Sequence, residues 1–461
     1  MVLLIYGDLK EDTMCEIKIK NVVLRNFKNV ENGTININVD FETMTEGNVI
    51  GVYGQNGSGK TALVEAFKIL SYLLRKRQLP TFDNHLIMDD KDVAELEFEF
   101  LLSNDFGEFY IRYRTSLGYK ENDKSDEIRL VPIKEELEYR ENEHRKQYKR
   151  LISKTEKDIY IRNVNIKDIN EDDRVDLRVR YNMTLLDSYS FIFDKGAIEI
   201  FKNNFNEIEN SIVKCIVNDF TNDFHVIDSV HNGLVLGNLV MPLSISIQNQ
   251  RGQIPYLLTD VSVLPLKAYE TIEKTIEQIN IVLTTIIPGL KIESKKLHTE
   301  TMENGEKGVR VEFLTNKTNV PLPIRCESAG ALKIISILST LIAVFNNQNA
   351  CVVVDELDSG VFEFLLGEIL EVISDNGRGQ LIFTSHNLRV LEVLNNKNLW
   401  FTTTNENNRY IQLKGIKNLS NVRDVYLRSV QLGGQNESLY ERTKAFKMKK
   451  AFRKAGDNYN G

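Results

Sequence analysis

The chain has 461 residues, 42% of them hydrophobic and 27% charged, with a formal net charge of -7. These values fit a globular protein of two or three domains, or one domain with large insertions. They exclude nucleic-acid binding driven by overall charge, while leaving room for a local basic face.

The predicted elements follow in chain order. Residues 16–30 (EIKIKNVVLRNFKNV) alternate in the manner of a strand, and residues 33–41 (GTININVDF) read as its hairpin partner. Residues 47–54 (GNVIGVYG) form a short buried strand that runs into QNGSGK, and residues 61–76 then show apolar positions at helical spacing. VAELEFEFLL and GEFYIRYRTSL have period two and read as a hairpin of half-exposed strands. From about residue 119 to 169 both charge signs become dense, which predicts a solvated hairpin or helix pair projecting from the head. The a and d positions are not steadily apolar, so a coiled-coil arm is disfavoured. Residues 197–220 and 266–287 have helical spacing, 308–315 read as a strand and 330–346 as a strongly apolar helix. CVVVDE and QLIFTS are buried strands separated by a helix over 361–375, and Trp400 sits on an apolar strand, LWFTTT. Strands alternating with helices predict an α/β fold with a mainly parallel core. Cys15, Cys215, Cys326 and Cys351 form no C-x-x-C pair and read as reduced, buried thiols. With no 18-residue apolar stretch and no leader pattern, the expectation is a cytoplasmic protein without a membrane span.

GQNGSGKT, residues 54–61, fits the phosphate-loop pattern G-x-x-x-x-G-K-[ST] between a buried strand and an amphipathic helix. Gly54, Gly57 and Gly59 let successive amides turn toward phosphates, and the helix beginning near Lys60 points its positive end at the same anion. The candidate nucleotide-binding residues are therefore Gly54, Asn56, Gly57, Ser58, Gly59, Lys60, Thr61 and Ala62, with Lys60 bridging the β and γ phosphates of ATP. Asp355 ends a buried strand, where carboxylates are rarely found unless paired or holding a cation. Thr61 and Asp355 are the expected Mg²⁺ ligands, and Glu356 the expected general base for water.

Three further stretches, ESAGALK (327–333), TSHN (384–387) and LRNFKNV (24–30), complete an order of motifs that resembles the ABC-type ATPase heads of the SMC, RecF and OLD class. The resemblance implies an antiparallel β lobe beside the core sheet and a large α+β insertion. It implies that Ser328 and Gly330, as the signature, contact the γ phosphate of nucleotide on the other protomer, that His386 is the switch histidine, and that Asp358 is an acid of the dimer interface. Some features depart from the class. The signature reads S-A-G, LDSGVFE replaces a loop with Pro and His, and no Mg²⁺-sensing glutamine can be placed. Lys28 reads equally as a base contact or a surface lysine. The expected divisions are residues 1–118 and 308–461 for the two lobes of the head and 119–307 for the insertion. The 75 residues after His386 (387–461) are too few for a Toprim nuclease domain and include a basic amphipathic helix. DELDSGVFEFLLGEIL and LGGQNESLYE most resemble the ATPase subunit of PARIS-type anti-phage defence systems. That resemblance implies a homodimer or higher homo-oligomer that holds a separate Toprim-type nuclease effector and releases it on meeting a phage protein. The alternative is a RecF-like DNA-binding repair ATPase, with DNA left open as a partner; a transporter subunit is disfavoured by the large insertion.

Overall fold

The computed structural model describes residues 15–80, 85–122, 125–230, 240–247, 250–257, 261–302, 305–317, 320–415 and 421–457. Residues 1–14 of the expected N-terminal lobe lie outside this set.

Among the described residues the core sheet has six strands in the order Phe224–Ile227, Cys351–Val354, Gln380–Thr384, Asn48–Tyr53, Leu399–Thr402 and Tyr410–Ile411. All neighbours are parallel except the last pair. The strands Asn48–Tyr53, Cys351–Val354 and Gln380–Thr384 are buried at every position, which is why they read as continuous apolar runs rather than alternating ones. Helices cover both faces: Lys60–Leu74 on one, Ala329–Asn346 and Glu363–Asn376 on the other. Helix Ala329–Asn346 is apolar and long enough to cross a membrane by length and composition, but 67% of it is buried as a core element.

The second layer is an eight-stranded antiparallel sheet running from Val30–Asn36 and Glu16–Phe27 through Val93–Asn104, Gly107–Asn122 and Ser125–Glu141 to short strands near residue 165. The sheet does not stop at residue 118, because strand Gly107–Asn122 passes through it. The charge-rich stretch from 119 thus forms antiparallel hairpins, the first of the two expected alternatives, but as part of this sheet rather than as a projection, and no helix pair is formed there. Its charges pair across strands instead, as in Arg114 with Glu136 at 3.0 Å and Glu138 at 2.6 Å. The expected helix over 197–220 is divided into Lys195–Asn204, Glu207–Lys214 and a π-helical segment Cys215–Phe220. The insertion then returns to the core, where Phe224–Ile227 pairs in parallel with Cys351–Val354.

The cysteine expectation needs correcting. Cys15 and Cys215 are joined as a disulfide across 200 residues of sequence, and Cys326 is exposed; only Cys351 is a buried free thiol.

Two side chains clamp the antiparallel layer to the core, Asn349 just ahead of strand Cys351–Val354 and Gln380 opposite Cys351 at the start of the neighbouring strand. Gln380 accepts from the Ile19 N–H at 2.7 Å and donates to the Ile19 carbonyl at 2.9 Å. Asn349 accepts from the Ile17 N–H at 2.9 Å and donates to the Cys15 carbonyl at 2.6 Å. Both bonds of Gln380 are buried, so Gln380→Leu should destabilise the fold by about 2–4 kcal/mol through unpaired backbone groups. A shift of the urea midpoint worth less than about 1 kcal/mol, at unchanged slope, would show that the clamp is not needed.

Candidate functional site

The phosphate loop connects the central strand Asn48–Tyr53 to helix Lys60–Leu74. Gly54, Gly57 and Gly59 have φ of 156°, 77° and 98°. At Gly54 a Cβ would lie 1.6 Å from Thr402 Oγ1, so glycine is required by space as well as by backbone. The loop is braced from behind. Ser58 donates to the Gln55 carbonyl at 2.6 Å and meets the Thr402 hydroxyl, Tyr410 O–H donates to the Gly59 carbonyl at 2.7 Å, and buried Arg409 packs on Gly59. The Ser58 hydroxyl therefore serves the fold rather than facing the cleft. Lys60 is 7% exposed and gives two of its three N–H groups to the carbonyls of Gly54 (2.7 Å) and Gln55 (2.9 Å). Burial lowers its pKa, and the field of Asp355, Glu356 and Asp358 pulls the other way.

A cleft of about 800 Å³ opens on this loop. Asn56, Gly57, Gly59, Lys60, Thr61 and Ala62 line it together with Asp355, Glu356 and His386. Gly54 lies behind the wall. Asp358 instead lines an adjoining hollow with Asn56, Glu356, Ser359 and His386. Its carboxylate accepts the His386 backbone N–H at 3.0 Å, so in this chain it orients the histidine loop.

The two adjacent acids have different surroundings. Asp355 is 2% exposed, and its Oδ1 accepts the Thr384 hydroxyl at 2.6 Å. Burial raises its carboxyl pKa, partly offset by that hydrogen bond, with Glu356 adding to the rise. Glu356 is exposed and has φ 47°, a left-handed conformation costing a β-carbon residue about 1 kcal/mol. Its N–H donates to the same Thr384 hydroxyl at 2.8 Å. Thr61, exposed at the start of the helix, offers a hydroxyl to the same cleft. A hydroxyl and a carboxylate are the hard oxygen donors that Mg²⁺ takes, and a cation would relieve the buried charge of Asp355, so this pair fits the ion. Burial, then the nearby Lys60 charge, lowers the His386 pKa and favours its neutral form.

Ser328 and Gly330 are not brought to the chain's own cleft. Ser328 caps helix Ala329–Asn346 by accepting the Ala331 N–H at 3.2 Å, and its side chain is on the surface. A Cβ at Gly330 would lie 2.4 Å from the Gly360 carbonyl, so the cap sits against the loop that follows the acids. Lys333, one turn on, is fully buried with its pKa lowered to about 8 by desolvation, against the opposing pull of Glu356, Asp355 and Asp358. Lys28 lines the cleft and pairs with Glu65 at 2.5 Å. Sequence reading missed the rim of His85, Ile87, Met88, Asp89 and Asp90, which folds over because Lys28 N–H bonds the Leu86 carbonyl at 2.9 Å and Met88 N–H the Asn26 carbonyl at 3.0 Å. It also missed Thr384 as a ligand-positioning group, although TSHN contains it.

The raised pKa of Asp355 means that the folded chain takes up a proton at higher pH than the unfolded one. Its contribution to stability is present below the ordinary carboxylate range and lost as pH rises through the raised value, so the charged form opposes folding at neutral pH. Asp355→Asn should therefore raise the metal-free Tm at pH 7.5, by about 2 °C or more, with the difference fading below about pH 4. A lower Tm in calorimetry at pH 7.5 would contradict this.

A family model described as "AAA domain, putative AbiEii toxin, Type IV TA system" matches residues 49–392. Among solved structures, an SMC head bound to the C-winged helix domain of ScpA aligns at 11% identity and TM-score 0.39, covering 86% of this chain and 97% of that one. The SMC head domain from Thermotoga maritima aligns at 12% and 0.37, covering 86% and 100%, and the recombination mediator RecF with ATP at 13% and 0.34, covering 80% and 94%. No curated protein matches by sequence.

Proposed function

The chain belongs to this AAA-domain ATPase family, and from that premise we propose that it hydrolyses ATP to ADP and phosphate with Mg²⁺, as the regulatory ATPase of an anti-phage defence system that controls a separate toxic nuclease of Toprim type. The observation that supports hydrolysis is the convergence of Lys60, Thr61, Asp355, Glu356 and His386 on one cleft. The loop amides and Lys60 hold the β and γ phosphates. Thr61 and Asp355 hold Mg²⁺, which neutralises phosphate charge when bound. Glu356, free of the metal position and turned into the cleft, takes a proton from the attacking water as the γ-phosphorus bond to the bridging oxygen breaks. Neutral His386 donates to the γ phosphate. Ser328 and Gly330, absent from their own cleft, serve the nucleotide of a second copy, so the active unit is a dimer or larger.

Control of a separate effector rests on the resemblance to defence ATPases and on the family's toxin–antitoxin description. That description also favours a second reading, in which the chain is itself the toxic component. The two separate in cells, where regulation of an effector requires a second protein for toxicity, and the purified chain alone should cleave neither DNA nor RNA.

Glu356→Gln should keep ATP binding and lose at least about 100-fold in turnover, because the water loses its base while the cation ligands remain. Lys60→Ala should weaken ATP binding itself by about tenfold or more. Mixing Lys60→Ala chains with Ser328→Arg chains should restore part of the activity that each lacks. Unchanged turnover in Glu356→Gln would refute the base assignment, and silent mixtures of folded chains would refute completion by a partner.

A further inference from the structure

Helix Glu171–Asp187 of the insertion is apolar on two opposite sides. Leu177 and Thr184 are buried against the insertion. On the other side Val175, Val179, Met183 and Leu186 form a stripe, each 47–52% exposed. An amphipathic helix normally turns its second side to water with polar residues, so this stripe calls for a cover. Asp172 and Asp176 flank it, and the helix holds five acids against three arginines, a net charge of -2.

Helix Ala445–Asp457 has the matching character. Ala445, Met448, Phe452 and Ala455 recur at i, i+3, i+7 and i+10, and Met448 and Phe452 are 46% and 75% exposed. Lys447, Lys450, Arg453 and Lys454 take the opposite side, and the net charge of the helix is +4 from five bases and one acid. Residues 445–456 of this helix are all exposed. A helix of 13 residues is marginal in water on its own and gains most of its stability by packing an apolar face. It also has a fixed root, since the Glu441 N–H donates to Gln55 Oε1 of the phosphate loop at 3.0 Å.

We propose that these two stripes dock on each other between copies of this chain, the basic helix of one copy covering the acid-flanked stripe of the next. The spacing of three and four residues is that of helix pairs packed side by side, and the alanines allow close approach. Opposite net charges set the pairing and make it sensitive to salt. A nucleic acid would use the basic side and leave the apolar stripe uncovered. A membrane surface would need one broad apolar face, whereas Phe446, 77% exposed, lies on the basic side away from Met448 and Phe452. A two-fold pair can make the contact twice, each basic helix covering the other copy's stripe, while a head-to-tail arrangement would build a ring or a chain.

The test uses full-length protein with the exposed thiol removed by Cys326→Ser. One chain carries Val179→Cys and another, differently tagged, carries Phe452→Cys. After mixing, a short bis-maleimide should join the two, giving a product with both tags. Lys450→Glu, Arg453→Glu and Lys454→Glu together in the second chain should slow that product by about tenfold and lower the assembly mass in light scattering. Circular dichroism establishes that each variant is folded. The proposal is overturned if no product carries both tags, or if one doubly substituted chain links only to itself. It is also overturned if charge reversal abolishes binding of duplex DNA or anionic vesicles while linking and assembly mass stay unchanged.

Discussion

The Thr384 hydroxyl is the point from which the site's chemistry follows. It donates to Asp355 Oδ1 at 2.6 Å and accepts the Glu356 N–H at 2.8 Å. One oxygen thus keeps the first acid facing inward and helps hold the second in the left-handed turn that sends its side chain into the cleft. Neighbouring acids on an ordinary strand would point to opposite faces. Here they reach one cavity because the strand ends at Val354, just ahead of both. The arrangement depends on parallel pairing of Cys351–Val354 with Gln380–Thr384, in which Val354 stands opposite Phe383. A one-residue slip would carry Thr384 to the wrong face.

The same geometry has an electrostatic cost. Asp355 is buried with its pKa raised, Lys60 and Lys333 are buried with theirs lowered, and Glu356 sits at positive φ. Each departs from what folding alone favours, and together they place unlike charges where phosphate, a cation and water would balance them. The surrounding elements are built to carry this load. The core strands are buried throughout, Gln380 and Asn349 fix the second layer, and Arg409 and Tyr410 brace the phosphate loop from a strand far along the chain.

The core was legible because its signals are local. Continuous apolar runs gave buried strands, and GQNGSGKT specified both the turn and the helix behind it. The structure brings Lys60, Thr61, Asp355, Glu356 and His386 together as their motifs implied. What was not legible depends on contacts distant in sequence. FHVI, residues 224–227, is too short and too mixed to announce a core strand, yet it completes the sheet beside Asp355. The charge-dense stretch after residue 119 looked solvated because cross-strand pairs such as Arg114 with Glu138 have no local signature. The disulfide joins cysteines 200 residues apart, and the cleft rim at 85–90 is folded over by backbone bonds to Asn26 and Lys28. Ser328 was readable as a helix cap, and its distance from its own cleft became apparent only from the fold.

Completion of each nucleotide site by a second copy is the central claim. The most direct measurement is the structure of the Glu356→Gln protein assembled with Mg²⁺ and ATP. The account requires nucleotide enclosed between two chains, with Lys60, Thr61 and Asp355 from one and Ser328 and Gly330 from the other around the γ phosphate. Nucleotide held by a single chain, with Ser328 of every neighbouring copy far from the γ phosphate, would contradict it.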